Sequence, residues 1–178
     1  MSGILRKAAT GLGVVGVIIA GLSAAGVSSW ASGASSPQQG EKVEWITPKE
    51  APAAYQRFTA EFPEPLPDGI GWPSTLPANL LEKGVRMEKE VPLSVASFYW
   101  LCAWEGTYLT QSKLGDADGS RASLATIDRF IELPFYKDHF DDPEMLWYSA
   151  VIGAAKSGDP SGIESNFAGC SFYHANNG

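Results

Sequence analysis

The residues best suited to chemistry are one carboxylate, two cysteines and two histidines. Glu105 lies in FYWLCAWEGTYL, residues 98–109, where it is the one charged side chain among five aromatic ones. A carboxylate in such surroundings must be paired or hydrogen-bonded, or it must remain protonated. We expect it to meet a basic side chain, for which Arg86, Lys113 and Arg121 are available, or backbone donors. Alternatively, Glu105 could act as an acid or base together with Asp141 or His139; we favour the structural role.

The cysteines Cys102 and Cys170 are the only two in the chain. An even number of cysteines in an exported protein favours a disulfide, and two buried free thiols are the alternative. The bond would close a loop of about 68 residues and add roughly 4 kcal/mol in the chain-entropy account. A Cys-x-x-Cys pair is absent from the sequence. Thiol–disulfide exchange is therefore not expected from the pattern.

Other chemical signatures are missing. The sequence has no phosphate-binding loop, no dinucleotide-binding glycine pattern, no hydrolase elbow and no zinc-protease motif. His139 could hold a metal with Asp141, Asp142 and His174, but these residues lie near a helix start and the chain end, so we expect neither a metal nor a cofactor. The formal net charge of −7 argues against nucleic-acid binding, which needs a basic surface.

The first forty residues predict a location in the membrane. Arg6 and Lys7 precede about twenty uncharged, mostly apolar residues, enough for a helix to cross a bilayer. Positive charge stays on the cytoplasmic side, so the rest of the chain should lie outside the cell. We favour an uncleaved signal anchor; a long signal peptide cleaved near Ala31, giving a secreted protein, is the alternative. The predicted division is a cytoplasmic start at 1–7, the membrane segment at 8–30, a tether at 31–46 and an extracytoplasmic domain at 47–178.

The remaining pattern predicts an all-α domain of four to five helices. The stretch from Leu93 to Lys113 has no polar face, which indicates a buried central helix. An amphipathic helix is predicted before it, from Ala51 to Phe62. Five prolines lie between Pro63 and Pro77, and they predict an extended strap with Trp72 packed into the core. Helix starts are predicted at Asp118 or Ser120, at Asp142 and at Asp159.

Three segments, LPDGIGWP, FYWLCAWEGTYL and GDPSG followed by Cys170, resemble a group of uncharacterised membrane-anchored proteins from actinobacteria. The resemblance extends from about Leu66 to Cys170. It implies a place in the cell envelope and carries no activity with it. Together with the absent catalytic signatures, it favours a membrane-tethered module that binds an unknown protein of the envelope. A small envelope enzyme using Glu105 is the main alternative, and a subunit that assembles through its membrane segment is a third.

Overall fold

The computed structural model describes residues 43–177, and this part of the chain is mostly helical with little strand. The predicted all-α class is therefore confirmed. The predicted cytoplasmic start, the membrane segment and most of the tether lie outside the described residues. Between residues 43 and 177, no helix combines the length and the apolar character that crossing a membrane requires.

The helices divide into more segments than the four or five expected. The α-helices are α1 (Ala51–Ala60), α2 (Val91–Leu114), α3 (Ala117–Asp128), α4 (Pro134–His139), α5 (Leu146–Tyr148), α6 (Ala154–Lys156), α7 (Ser161–Ala168) and α8 (Ser171–Asn177). A π-helical turn, Ser149–Gly153, joins α5 to α6, and 3-10 turns cover Ala78–Leu81, Arg129–Glu132 and Pro143–Met145. The strands are β1 (Trp45–Ile46) and β2 (Met87–Glu88).

The centre of the fold is α2, which is only slightly longer than the predicted helix. Its residues Trp100 and Leu101 are fully buried, and α1 and α3 make its main helix contacts. Because α2 contributes buried residues on all sides, its sequence needs no polar face. The helix ends at Gly115, whose φ of 74° is left-handed and favours glycine.

The proline-rich strap between α1 and the first 3-10 turn explains much of the aromatic run in α2. The carbonyl oxygen of Pro65 accepts hydrogen bonds from the indole nitrogens of Trp100 at 2.9 Å and Trp104 at 3.0 Å. The Tyr99 hydroxyl donates to the carbonyl oxygen of Gly71 at 2.9 Å. Trp72 is half-buried, with its ring 5.7 Å from that of Tyr99. A strap without regular secondary structure thus gives the polar ends of buried rings their partners.

Local details differ from the sequence predictions in three places. The strands β1 and β2 form an antiparallel ladder that pairs Trp45 with Glu88, so the folded domain begins before residue 47. Helix α3 starts earlier than expected because the Asp116 side chain, rather than Asp118 or Ser120, accepts from the Gly119 amide at 2.9 Å. The segments α4 and α8 were not predicted, since six or seven residues show too little periodicity.

Candidate functional site

A disulfide joins the central helix to the end of the chain. Cys102 lies in the middle of α2, and Cys170 lies between α7 and α8, with 5.9 Å between their Cα atoms. The predicted pairing is confirmed. Each cysteine is 6% exposed, so solvent reaches only a small part of the disulfide. It fixes the α7–α8 corner against α2.

Glu105 lies directly behind this disulfide, one helical turn along α2 from Cys102. Its side chain is fully buried. The Asn166 amide nitrogen, from α7, donates to both carboxyl oxygens at 2.9 and 3.0 Å. The Oε2 atom lies 3.8 Å from the Sγ atom of Cys170. Because Cys170 is oxidised it carries no S–H to donate, so this contact becomes a hydrogen bond only when Glu105 holds the proton.

The protonation state of Glu105 follows from this environment. Burial raises the pKa of Glu105 from 4.5 to about 8, and the hydrogen bond from Asn166 opposes part of that rise. The predicted basic partner for Glu105 is wrong, since no ion pair among residues 43–177 involves Glu105 and its hydrogen bonds come from Asn166. Arg121, one of the three candidates, instead pairs with its neighbour Asp118 on the exposed side of α3. A neutral amide takes the place of a cation. At neutral pH the side chain is therefore mostly an uncharged carboxylic acid.

A cavity of about 390 Å³ opens on the other side of the disulfide. It lies between the first half of α2 and the corner formed by α7 and α8. Its walls include both cysteines, the Asn166 side chain that holds Glu105, and aromatic side chains such as Phe98, Tyr99 and Phe172. Phe98 is 37% exposed, which is unusual for a large ring in this fold. Glu105 itself does not line the cavity and contacts the disulfide from the buried side.

The other candidates, His139 and Asp141, are exposed at the end of α4 and in the loop after it. Among residues 43–177, the group of three or more histidine, cysteine or acidic side chains whose ligand atoms approach within 4.8 Å consists of Cys102, Glu105 and Cys170. The structure therefore does not bring His139 and Asp141 together with Glu105. The group that it does assemble contains a disulfide, and joined sulfur atoms are not the thiolates that bind metals.

Asp142 performs a structural task instead of the metal-binding one considered above. Its carboxylate accepts from the backbone amides of Trp147 at 2.7 Å and Tyr148 at 3.0 Å, and from the Tyr136 hydroxyl at 2.6 Å. Burial works to raise the pKa of Asp142, but these hydrogen bonds outweigh it and lower the pKa. The predicted cap at Asp142 thus serves the first turn of α5, which begins after a 3-10 turn rather than at Pro143.

A second cluster of polar side chains links α3 to α5 and α6. The Asp128 carboxylate accepts from the Tyr148 hydroxyl and from Nζ of Lys156, both at 2.7 Å. Burial raises the pKa of Asp128, but these two hydrogen bonds outweigh it and lower the pKa. Since every polar group of this cluster has a partner within it and none lines the cavity beside the disulfide, we assign it to stability.

The chain was compared with protein-family models, curated protein sequences and solved structures, and none of them matches it. The candidate site therefore depends on geometry alone, and the resemblance to actinobacterial envelope proteins stays a prediction. Sequence reasoning missed Asn166. The available signal was its spacing: Asn166 precedes Cys170 by four residues, one helical turn, so a bond from Cys170 to Cys102 brings it towards Glu105.

Proposed function

We propose that the protein is a membrane-tethered, extracytoplasmic binding module whose partner, a protein of the cell envelope, docks at the cavity beside the Cys102–Cys170 disulfide. The observation that supports this most is the cavity itself, about 390 Å³ between α2 and the α7–α8 corner. Concave, mainly apolar sites with a few polar groups are where proteins most often bind their ligands. The proposed tether and membrane location rest on the apolar run after Arg6 and Lys7.

The walls of the cavity favour an apolar group from the partner. Phe98 and Phe172 supply aromatic surface, and Asn166 supplies an amide that already donates to Glu105. No ion pair of residues 43–177 involves a side chain lining this cavity. A leucine, methionine or aromatic side chain would fill such a space and bury the exposed part of Phe98. Each large apolar group removed from water in this way contributes about 1.5–3 kcal/mol.

Photo-crosslinking in intact cells tests the docking site. Ser171 is exposed at the start of α8 and lines the cavity, whereas Ser165 is exposed on α7 and does not line it. A benzophenone amino acid placed at position 171 should crosslink to a specific envelope protein under illumination. The same amino acid at position 165 is the matched control and should give little product. Equal yields from both positions would refute docking at the cavity.

Protease treatment of wall-stripped cells tests the proposed location separately. Protease added from outside should digest the domain, while the membrane fraction should retain the N-terminal fragment. A cytoplasmic protein followed in the same samples is the control for cell integrity. Complete protection of the domain would contradict the extracytoplasmic location, whatever the crosslinking experiment shows.

A further inference from the structure

We propose a second activity at the same cavity: the Cys102–Cys170 disulfide exchanges with a dithiol partner, and Glu105 is the acid that protonates the leaving sulfur. Three parts of the arrangement support it. The disulfide forms part of a cavity wall, a carboxyl group contacts it from the protein interior, and an amide holds that carboxyl group in place. A disulfide with a purely structural role requires neither a carboxyl group in contact with it nor an amide that holds that carboxyl group.

Access comes from the cavity. Both cysteines line it, and the wall is mainly apolar, with side chains such as Phe98, Tyr99 and Phe172 beside the polar Asn166 and Ser171. The space of about 390 Å³ admits a cysteine side chain with the residues next to it. The attacking group is a thiolate, and exchange runs through a mixed disulfide. The partner is an envelope protein that carries two thiols.

The position of Glu105 determines which sulfur leaves. Its Oε2 atom contacts the Sγ atom of Cys170 at 3.8 Å, so Cys170 is the sulfur that can receive a proton there. The partner's thiolate therefore attacks Sγ of Cys102. As the new S–S bond forms, the Cys102–Cys170 bond breaks and its electron pair goes to Cys170. The carboxylic acid of Glu105 transfers its proton to that sulfur, leaving a Cys170 thiol and a Glu105 carboxylate.

The second half of the reaction completes the balance. The partner's second thiol loses its proton, and its sulfur attacks the partner's first sulfur in the mixed disulfide. The bond to Cys102 breaks, so Cys102 is released and the partner keeps an internal disulfide. Cys102 and Glu105 take up the two protons that the partner's thiols have given to water. In total, the partner is oxidised by two electrons and the Cys102–Cys170 pair is reduced by two. Reoxidation runs through the same steps in reverse with a disulfide-containing oxidant.

The surroundings of Glu105 suit an acid of this kind. Burial and the Asn166 hydrogen bond are the causes that set its pKa, and no charged side chain is among them. On the elements packed against α2, the titratable side chains include Tyr55 of α1, Asp128 of α3, Glu164 of α7, and Tyr173 and His174 of α8. None of them makes a hydrogen bond or ion pair with Glu105 in the described part of the chain. The proton on Glu105 therefore responds to pH and to the disulfide without competition from a neighbouring charge.

Reduction of the folded protein by dithiothreitol tests the proposal. Free thiols are trapped by alkylation and counted by mass, and each rate is divided by the thiolate concentration of dithiothreitol. For the wild type, this normalised rate should be constant at low pH and fall about tenfold per pH unit above pH ~8, as Glu105 loses its proton. Glu105→Gln should be ~100-fold slower at pH 7 with no such fall. Glu105→Asp, which keeps a proton donor, should recover part of the rate and the pH dependence.

Two controls separate this activity from unfolding and from partner binding. Glu164→Gln makes the same chemical change on the exposed face of α7 and should leave the rate unchanged. Ser171→Trp, which fills the cavity mouth, should slow reduction several-fold, whereas Ser165→Trp should not. Reduction that follows global unfolding in urea, or equal normalised rates in the wild type and Glu105→Gln, would overturn the proposal. Because dithiothreitol replaces the envelope partner, neither result bears on docking.

Discussion

Replacing Glu105 by glutamine should make the protein more stable at alkaline pH and remove the part of the pH dependence of its stability that Glu105 contributes. The side chain is fully buried, and the polar groups that it contacts among residues 43–177 are neutral, namely the Asn166 amide and the disulfide. Glutamine has nearly the same shape, keeps an oxygen that can accept from Asn166, and cannot ionise. The perturbation therefore changes the charge and leaves the packing intact.

The magnitude follows from the two pKa values of Glu105. Burial raises the pKa of Glu105 from 4.5 to about 8 in the folded state, so the folded protein holds a proton that the unfolded chain releases. The group's contribution to stability is thus fully present below pH 4.5 and is lost as pH rises to about 8. The slope is about 1.4 kcal/mol per pH unit, which over this range gives a loss on the order of 5 kcal/mol. A loss of that size rivals the whole stability of many domains.

Urea unfolding at pH 5, 6, 7 and 8, with the disulfide intact, measures this effect. The difference in free energy of unfolding between the wild type and Glu105→Gln isolates the one carboxyl group, because all other titrating groups are shared. That difference should be small at pH 5 and should grow in favour of glutamine by ~1 kcal/mol or more per unit. Glu164→Gln is the control and should retain the wild-type slope. Parallel stability curves for wild type and Glu105→Gln would refute the reasoning.

A companion variant, Glu105→Leu, tests the role of Asn166. Leucine removes the acceptor, so the Asn166 amide loses its partner at a cost of about 1–3 kcal/mol. Glu105→Leu should therefore be less stable than Glu105→Gln at every pH, and the two should show the same pH dependence because neither side chain ionises. If the two variants are equally stable, the Asn166 hydrogen bond does not contribute to folding.

Two further predictions concern packing and capping. In Gly106→Ala the new Cβ would lie 2.9 Å from the ring of Phe167, so we expect a loss of about 1–3 kcal/mol in thermal melts. Gly153→Ala is the control, since a Cβ there would lie 3.7 Å from the nearest neighbour, a backbone carbonyl oxygen, and it should be neutral or stabilising by up to ~1 kcal/mol. Asp142→Ala removes the acceptor of a tyrosine hydroxyl and two backbone amides and should cost ~1–2 kcal/mol in urea unfolding. Asp141→Ala, at an exposed neighbour, should change stability by less than ~0.5 kcal/mol, and equal losses would contradict the cap.

Sequence reasoning succeeded where a single local rule decides the outcome. The central helix α2 was predicted to within about two residues at each end, because its apolar run is long and Gly115 ends it. The disulfide followed from the number of cysteines, and the strap followed from its prolines. One physical property decides each feature: burial for α2, oxidation for the disulfide and the fixed φ of proline for the strap. The rest of the fold has less influence on these three features.

The failures share a different cause, which is dependence on distant contacts. Asn166 lies 61 residues from Glu105, and an asparagine is less conspicuous in a sequence than a lysine or arginine. The two-residue strands β1 and β2 exist only because the chain returns to pair Trp45 with Glu88. Helix α8 is short and polar at its end, and it is held by contacts such as the amide of Asn177 donating to the Tyr99 hydroxyl at 2.8 Å. Local patterns do not encode such pairings.

Partner capture with the cavity filled is the most direct measurement of the central claim, that an envelope protein docks beside the disulfide. Intact cells carrying the tagged wild type, Ser171→Trp or Ser165→Trp are treated with a chemical crosslinker, and the captured proteins are quantified by mass spectrometry. The account predicts a partner that is captured by the wild type and by Ser165→Trp and is lost with Ser171→Trp. Capture of the same proteins in the same amounts by all three chains would contradict it.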